Sequence, residues 1–579
     1  MFDNLKPLRR ALQESALLPL CAIFLVSVIL MLPIWWFGFP LSGHDTGAHV
    51  NWQHFFSKQF WNGDLYPRWL AGINEGLGSP VFFIYPPLSQ YAAAVLAPFS
   101  DGPAWVYQRL GIAATGAFFV SGAGAYFWLY EVTKNRISAL AGAFVFLLAP
   151  YHLLTDTYVR AAYAELWAFA WAPFSLLALH LFRKNPGAAL PLYAGATAAL
   201  ILSHAPSCIA LLPAYIAYAA LLSIIYKDKR IFLWSLLATC LALMIAGVYL
   251  GTALTHQQYI NSTALFSGYN NFFQWFLGSA ERWPTLITEQ VIVGTAVTQC
   301  GAAAFFGFIV IKRTAPASIS RQLAWFSIVI SFLVLFMASV FSKPVWGILP
   351  FVQKIQFPWR LFTTQTIFLA LICALYVQSF FSGTIGRNTQ RLKRVMAVFI
   401  AGLVIVNAGV VYYDEPHFRH AAPLPPHDTP EYRLGSLDSA RAMFRKNELA
   451  KLLTGQGSLS VEVVTPSHLR VHTDARTPVK FVLRHFYYPE WRCTATGGQG
   501  SCRVTRFHPD LPLITVSTGP GKQQIDLQLS SPGERTGYIA SMFGICLLIS
   551  LCLWLHFMER KKRRSARVLD DYATAREIA

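Results

Sequence analysis

Apolar runs of about 20 residues recur along almost the whole chain, and short lysine and arginine clusters border them at alternate ends. A helix needs roughly 20 apolar residues to cross the hydrocarbon core of a bilayer, so each run predicts a membrane span. Twelve spans with both termini inside account for every basic cluster. The predicted fold class is therefore a polytopic α-helical membrane protein. The spans are residues 16–37, 104–131, 137–154, 165–182, 187–204, 206–226, 231–254, 288–311, 322–341, 361–382, 395–413 and 537–557.

The charge balance at first suggests a nucleic-acid partner, because the 579 residues carry a formal net charge of +19. However, 55% of the residues are hydrophobic and 13% are charged. The basic residues form small clusters, such as Lys134 with Arg136 and Arg183 with Lys184, and do not form one continuous surface. Clusters at alternate span ends follow the positive-inside rule. The sequence therefore predicts a multi-pass membrane protein with both termini in the cytoplasm and no nucleic-acid partner.

Two segments between the spans have their own character. The first outward loop, 38–103, contains amphipathic, aromatic-rich pieces, which we expect to lie in the membrane interface as surface helices. Segment 414–536 begins with Pro-rich linkers and continues with stretches of period-two alternation, which predict a small extracytoplasmic β domain. The chain thus divides into a transmembrane module (1–413), the β domain, a last span (537–557) and a basic cytoplasmic tail (558–579).

Two cysteines differ from the others in their surroundings. Most of the nine cysteines lie in apolar runs, but Cys493 and Cys502 stand in a polar, Gly-rich stretch of the predicted β domain. An extracytoplasmic domain lies in an oxidising compartment, so we expect these two residues to form a disulfide that closes a short hairpin loop.

The first outward loop opens with GHDTGAH directly after the first span, which places His44, Asp45 and His49 at the membrane boundary. One interpretation is that Asp45 or Thr46 caps the surface helix that begins near His49. The other is that Asp45 is a partly desolvated carboxylate, and hence a stronger base, that acts on a substrate at the lipid surface. The residues alone leave both interpretations open.

A second acidic site follows the third span, where YHLLTDTYVRAAYAELW places Asp156, Arg160 and Glu165 in one short outward turn. Arg160 and Glu165 could form an ion pair that simply fixes the turn. In the functional interpretation, Glu165 is a partner of Asp45, either as a metal ligand or as an acceptor for a substrate hydroxyl.

A third site precedes the tenth span, where KIQFPWRLF places Lys354 and Arg360 beside Trp359 at the outer interface. An arginine at this depth either extends toward lipid headgroups or binds a phosphate with two parallel hydrogen bonds. A lipid phosphate would lie in the same plane.

Sequence motifs for soluble cofactors and for zinc are missing from the chain. It contains no P-loop, no dinucleotide fingerprint, no HExxH and no Cys/His zinc spacing. Ser203 and His204 are neighbours, which fits a polar pair at a helix end better than a catalytic triad. ATP-driven and zinc-protease functions therefore lack their usual support.

The succession HDTGAH, GDLYPRW, GLGSPVFFIYPPL, YVRAAYAE and QFPWR resembles a family of bacterial membrane proteins labelled 6-pyruvoyl-tetrahydropterin-synthase-related, over about residues 38–365. The motif HFYYPEW, before a β-rich stretch and a last span, resembles the related YfhO-like membrane proteins. Both groups are similar to GT-C class glycosyltransferases, which use polyprenyl-phosphate sugars at the outer leaflet. Nothing in the sequence resembles a pterin synthase site.

The resemblance implies an enzyme of the bacterial inner membrane that moves a sugar from a polyprenyl-phosphate donor to a lipid or glycan acceptor. Asp45 matches the acidic motif of the first outward loop and Glu165 matches the second acidic position, so both are assigned to catalysis. Arg360 corresponds to the basic residue that binds the donor phosphate. His44 stands where the family has a second adjacent carboxylate, which leaves the need for a divalent cation unknown.

Substrate binding is assigned to polar residues at the outward ends of spans and within the resembling motifs. These residues are His44, His49, Arg68, Tyr85, Asp156, Arg160, His204, Lys354 and Arg360. Two alternatives remain open. A transporter or flippase of polyprenyl-linked glycan should carry polar or charged residues along the middle of its spans and often has an internal repeat. A non-catalytic scaffold for envelope assembly would bind its partners through the β domain.

Overall fold

The computed structural model of the protein describes residues 16–37, 43–99, 105–259, 271–279, 286–381, 427–445, 448–498 and 500–578, together with scattered positions within 261–267 and 398–409. Within these ranges ten helices are long and apolar enough to cross a membrane, and the number rises to eleven if one bent pair counts as a span. The predicted polytopic helical architecture is confirmed. The predicted span 395–413 lies outside the described residues apart from single positions, so the total of twelve stays a prediction.

The α-helices are numbered in chain order. They are α1 (Leu17–Phe37), α2 (Thr46–Trp61), α3 (Val81–Ile84), α4 (Leu88–Ala94), α5 (Trp105–Thr133), α6 (Arg136–Leu148), α7 (Tyr163–Leu181), α8 (Pro186–Ser203), α9 (Ala205–Ile225), α10 (Arg230–Ile245), α11 (Gly247–His256), α12 (Leu286–Arg313), α13 (Ile319–Ala338), α14 (Lys343–Ile348), α15 (Pro350–Gln353), α16 (Phe362–Phe381), α17 (Leu437–Met443) and α18 (Pro532–Ile578). A π-helix covers Tyr151–Val159, and a short 3-10 turn at Pro358–Leu361 leads into α16.

Small residues allow the helices of the bundle to approach closely, as expected where packing replaces hydrophobic exclusion from water. At Gly142 of α6, an added Cβ would lie 2.9 Å from the Ala370 carbonyl oxygen of α16. The span that contains α16 is 89% buried over its most apolar window, whereas the span in α18 is 17% buried. Helix α16 is therefore central, and α18 lies at the edge of the bundle.

Helices α10 and α11 meet at a bend of 70° at Ala246. Ser541 of α18 bridges the bend, since its Oγ accepts from the Val248 amide at 2.7 Å and donates to the Ile245 carbonyl at 2.8 Å. Gly251 packs directly on the backbone of Gly533, where a Cβ would overlap the neighbouring helix. The last span is thus attached at the point where the α10–α11 pair is broken.

The first loop folds into α2, α3 and α4 and packs between the bundle and the β domain. Trp52, Phe56 and Phe82 form the centre of its own apolar cluster, while Trp69 and Leu77 belong to the core of the β domain. Much of the loop is therefore covered by protein. Its placement at a membrane surface stays a prediction. The side chains that would contact the membrane are the exposed apolar ones: Trp61, Leu65, Val95 and Phe99.

The β domain consists of eight strands: β1 (Ala450–Thr454), β2 (Gly457–Thr465), β3 (His468–Ala475), β4 (Val479–Phe486), β5 (Trp491–Thr496), β6 (Cys502–Arg506), β7 (Leu513–Thr518) and β8 (Gly521–Leu529). They form two four-stranded antiparallel sheets, with strand orders β1-β4-β7-β6 and β2-β3-β8-β5. The alternating stretches SLSVEVV, HLRVHT, VKFVLRHFYY, LITVST and QQIDLQL coincide with β2, β3, β4, β7 and β8, whereas β1, β5 and β6 were not predicted. Cys493 of β5 and Cys502 of β6 form the disulfide expected from the sequence, which joins the two sheets.

Ion pairs also lie at the end of the bundle opposite the β domain. There Glu131 pairs with both Lys134 and Lys184, and Asp228 pairs with Arg230. Lys134, Lys184 and Arg230 belong to the basic clusters that predict the cytoplasmic side. The orientation of the protein in the membrane stays a prediction.

Candidate functional site

The candidate site lies at the β-domain end of the bundle, where the π-helix stops and α7 begins. A π-helical segment widens the backbone turn and is often found at functional sites. Here it is followed by Ala161, whose φ of +53° lies in the left-handed region that alanine rarely adopts. The Ala162 amide closes the turn on the Asp156 carbonyl at 2.7 Å. This strained turn directs the side chains of Asp156 and Arg160 to the same place.

Arg160 is the centre of the site and is 1% exposed. One of its terminal nitrogens, Nη1, donates to Asp156 Oδ1 at 2.5 Å and to Glu165 Oε2 at 2.6 Å. The other, Nη2, lies 3.6 Å from Asp45 Oδ2. The guanidinium carbon is 5.0 Å from the centre of the Trp359 ring. One buried arginine therefore binds carboxylates from three different segments.

Asp45 occupies the N-cap position of α2, but its side chain makes no capping hydrogen bond. Its backbone amide donates to the Arg160 carbonyl at 2.9 Å, so the two residues are joined through the main chain as well. The Asp45 side chain is 37% exposed, whereas the other two carboxylates of the cluster are 0% exposed. Of the two interpretations that the sequence left open, this geometry favours a carboxylate that can reach a substrate.

Glu165 is held on both oxygens. Oε1 accepts from Tyr151 Oη at 3.1 Å and from Thr363 Oγ1 at 2.6 Å, while Oε2 accepts from Arg160. His204 Nδ1 lies 4.0 Å from Oε2 and 2.8 Å from Ser207 Oγ. The ion pair that the sequence allowed between Arg160 and Glu165 is therefore present. Glu165 therefore joins Arg160 to Thr363 at the start of α16.

Arg360 reaches the same place from the 3-10 turn before α16. Its Nη1 donates at 3.0 Å to both the Ile355 carbonyl and Gln356 Oε1. Its Nε is buried and has no hydrogen-bond partner in the described part of the chain. Gln356 has a φ of +73°, a second strained position beside the cluster. The turn thus holds the buried guanidinium of Arg360 near Arg160, with an Nε–H that can still donate a hydrogen bond.

An aromatic wall continues from Asp45 along α2. The His49 ring lies 5.6 Å from Trp52, 6.0 Å from Tyr85 and 5.8 Å from Tyr163, measured between ring centres. Gln90 Nε2 is 3.3 Å from His49 Nδ1. Burial lowers the pKa of His49 to about 4, and the nearby Asp45 charge only partly opposes this effect. His49 is therefore neutral at neutral pH.

His44 adjoins Asp45 and shows the same behaviour, since burial lowers its pKa to about 4. Tyr85 is partly buried in the wall, and loss of solvent around its hydroxyl raises the pKa of that group. Neither residue carries a charge near neutral pH, so both contribute polar but neutral groups to the neighbourhood of Asp45.

Two of the residues assigned to substrate binding are engaged elsewhere. Arg68 contacts the last helix, with its Nε 3.2 Å from Glu534 Oε1 and its Nη2 3.0 Å from the Val248 carbonyl. The exposed Lys354 donates from Nζ to Gln257 Oε1 at 3.2 Å. Sequence proximity to GDLYPRW and QFPWR motivated both assignments, but proximity in a motif does not fix where a long side chain points. The structure favours a structural role for Arg68.

Sequence reasoning missed residues that complete the cluster. Tyr151 and Thr363 bind Glu165, and Trp359 stacks on Arg160. The motifs YHLL and QFPWRLFT contain all three, so their polar groups at span ends were the available signal. Their uncharged side chains gave no reason to choose them over other aromatic and hydroxyl residues.

A divalent cation does not fit this donor set. Across the described ranges, no group of three or more His, Cys, Asp or Glu side chains could hold a metal ion. The carboxylates of Asp156 and Glu165 face Arg160, which occupies the position between them that a cation would need. The guanidinium itself supplies the positive charge at the centre of the site.

No protein-family model and no curated protein significantly matches the chain. Among solved structures, it is similar to the arabinofuranosyltransferase AftD from Mycobacteria, with 18% identity and a TM-score of 0.40 over 69% of this chain and 27% of that one. It is also similar to ArnT from Cupriavidus metallidurans bound to undecaprenyl phosphate, with 11% identity and a TM-score of 0.27 over 63% of this chain and 78% of the other. This chain therefore spans only about a quarter of the length of AftD.

Proposed function

We propose that the protein is a GT-C class glycosyltransferase that moves a sugar from a polyprenyl-phosphate donor to an acceptor hydroxyl at the β-domain face of the membrane. One observation carries the proposal. The partly exposed carboxylate of Asp45, free of a capping bond, lies within 3.6 Å of the buried Arg160 at the ends of several spans. A donor whose lipid stays in the bilayer must present its phosphate and sugar at this depth.

Asp45 is the proposed general base. The acceptor oxygen attacks the sugar carbon that is bonded to phosphate, and Asp45 takes the proton from that oxygen. The bond between the sugar carbon and the phosphate oxygen breaks, and polyprenyl phosphate leaves with the electron pair. Asp45 is suited to this role because its exposed side chain can reach a hydroxyl, whereas Asp156 and Glu165 are enclosed.

Arg160 and Glu165 are proposed to hold this base in position. Arg160 is fixed by Asp156 and Glu165, and Glu165 is fixed in turn by Tyr151 and Thr363. Groups that are locked by such surrounding contacts need little reorganisation when charge moves during a reaction. Glu165 therefore contributes by positioning and not by transferring a proton.

Arg360 is the proposed site for the departing phosphate. It is 7% exposed, and its Nε has no hydrogen-bond partner among the described residues. An arginine presents several donors to phosphate oxygens in a fixed plane. Negative charge grows on the phosphate as the bond to the sugar breaks, so a cation placed there stabilises the transition state. The apolar side chains at the loop surface, Trp61, Leu65, Val95 and Phe99, are candidates for the lateral entrance of the lipid chain.

Arg360→Ala tests the donor site. We expect it to weaken binding of undecaprenyl phosphate to the purified protein by about tenfold or more, because a charge-assisted contact is lost in a poorly solvated place. Lys480→Ala is the control, since Lys480 is an exposed lysine of β4 with no role in the candidate site, and binding by this variant should stay near the native value. Equal binding by native protein and Arg360→Ala would contradict the donor assignment.

The transporter alternative receives less support. Within the described spans, Asp, Glu, Lys and Arg lie within about two helical turns of a span end. A translocation path would need charged groups at mid-membrane depth, whereas the buried polar side chain of Gln299 there bonds to Gln365 of the neighbouring helix. A charged cluster confined to one end of the bundle instead favours chemistry at a surface.

A further inference from the structure

The chain reaches the β domain through residues 427–433, here called the linker segment, whose sequence is HDTPEYR. Although it is 376 residues away in sequence, this segment lies directly on α2, the helix that begins after Asp45. Asn51 Nδ2 donates to the His427 carbonyl at 3.3 Å. The β domain is therefore in contact with the catalytic helix through its leading residues.

Asp428 fixes the linker segment. Its carboxylate is 3% exposed and accepts from Trp52 Nε1 at 2.7 Å and from Ser79 Oγ. Its backbone amide donates to Asn74 Oδ1 at 2.8 Å. Hydrogen bonds from both the side chain and the main chain set the position of the residues that follow.

Tyr432 extends the aromatic wall beside the site. Its ring centre is 5.8 Å from that of Trp52, and Trp52 is 4.7 Å from Tyr85. Tyr85 in turn lies 6.0 Å from His49, one helical turn after Asp45. Tyr432 is partly exposed, so it presents part of its surface beyond the wall.

Glu431 precedes Tyr432 and is also partly exposed. Its carbonyl accepts from the Asn261 amide at 3.2 Å, which holds the segment from the opposite side. Burial raises the pKa of the Glu431 carboxyl, hydrogen bonds to its own backbone and to Thr429 partly oppose this rise, and the Asp428 charge adds to it. Glu431 stands next to Tyr432 and therefore lies on the part of the linker segment that adjoins Trp52 of α2.

We propose that Glu431 and Tyr432 form the acceptor side of the site and bind a polyhydroxyl acceptor, with Asp428 as the positioning residue. This inference rests on the proposed function. The polyprenyl chain of the donor stays in the bilayer, so groups delivered by the non-membrane domain face the other substrate. A carboxylate accepts hydrogen bonds from hydroxyl groups, and an aromatic ring covers the apolar face of a sugar. The acceptor is thus a glycan or the sugar headgroup of a lipid.

The donor can react in two ways, by sugar transfer or by hydrolysis, and comparing the two distinguishes a defect in acceptor binding from a defect elsewhere in the site. Undecaprenyl-phosphate donors that carry radiolabelled glucose, mannose or arabinose are incubated with the full-length protein and with membranes that supply the acceptor. Label in membrane glycan or lipid reports transfer, and label in free sugar reports hydrolysis, in which water attacks the same sugar carbon. Glu431→Gln should lower transfer about tenfold and leave hydrolysis within about twofold, because one charge-assisted contact to the acceptor is lost.

Two further variants of the linker segment and one control variant accompany Glu431→Gln in this experiment. Tyr432→Ala should show the same separation, and Asp428→Asn should show it with a smaller loss. Glu462→Gln, an exposed glutamate of β2, should change neither product. Normal transfer by folded Glu431→Gln, or an equal fall in transfer and hydrolysis, overturns the inference. If Glu431→Gln does not fold, Tyr432→Ala decides by the same criterion. If native protein yields neither product from any donor, the proposed function fails instead.

Discussion

Two buried carboxylate sites join distant parts of this chain, and their carboxylates have different kinds of partner. At the candidate active site, Asp156 and Glu165 surround Arg160, a permanent cation. At the linker segment, Asp428 is bonded to the neutral donors Trp52 and Ser79. The first arrangement surrounds a buried cation with carboxylates next to the proposed base Asp45, while the second joins two segments through hydrogen bonds from neutral donors. The comparison indicates that charge is concentrated where chemistry is proposed.

The backbone does not separate the two sites in this way. Both contain left-handed residues other than glycine, with φ of +53° at Ala161 next to Arg160, +73° at Gln356 next to Arg360, and +56° and +58° at Asn74 and Glu75 near Asp428. Asparagine tolerates this conformation, but alanine, glutamine and glutamate rarely adopt it. Strain of this kind persists when the surroundings enforce it. The two sites therefore differ in the charge of their partners and not in backbone strain.

Arg160→Met should have the largest effect. Removing the cation leaves two buried carboxylates without their partner, which should lower the free energy of unfolding by about 3–5 kcal/mol. Denaturant titration in detergent measures this change. Arg183→Met, at an exposed arginine of the opposite end, is the control and should remain near the native stability. A small loss for Arg160→Met would show that the two sites do not differ as described.

Asp428→Asn should have a smaller effect, because no full opposite charge is left unpaired. The amide keeps one acceptor oxygen, so we expect a loss of ~1–2 kcal/mol near pH 5 in the same titration. Limited proteolysis between the transmembrane module and the β domain should become faster. A loss as large as that of Arg160→Met would remove the contrast between the charged and the neutral site.

The smallest effect concerns pH. Burial raises the pKa of Asp428 in the folded state above 3.8, its ordinary value in the unfolded chain. At a pH between the unfolded-state and folded-state pKa, the folded state therefore binds more protons than the unfolded state. The contribution of Asp428 to stability is therefore full at acid pH and falls as pH rises through the raised pKa. Native protein should lose stability over this window relative to Asp428→Asn. Parallel stability curves for the two proteins would show that Asp428 does not titrate in this way.

Much of this architecture could be predicted because two periodic signals are strong: apolar length for the spans and period-two alternation for five of the strands. The meeting of Asp45, Arg160, Glu165 and Arg360 followed from their positions at ends of spans on one side. Asp428 and Glu431 could not be found this way, since they lie after a Pro-rich stretch without periodicity. The direction of long side chains such as Arg68 also depends on tertiary contacts, which the sequence does not reveal.

The central claim is that Asp45 is the base, and Asp45→Asn tests it most directly. The amide keeps the shape of the side chain but cannot accept the proton, so transfer from an undecaprenyl-phosphate sugar should fall roughly 10²-fold or more while undecaprenyl phosphate binding persists. Asp510→Asn, whose side chain is 92% exposed in the β domain, serves as the control and should keep native activity. Near-native transfer by Asp45→Asn, under conditions where heat-inactivated protein gives no product, would contradict the account.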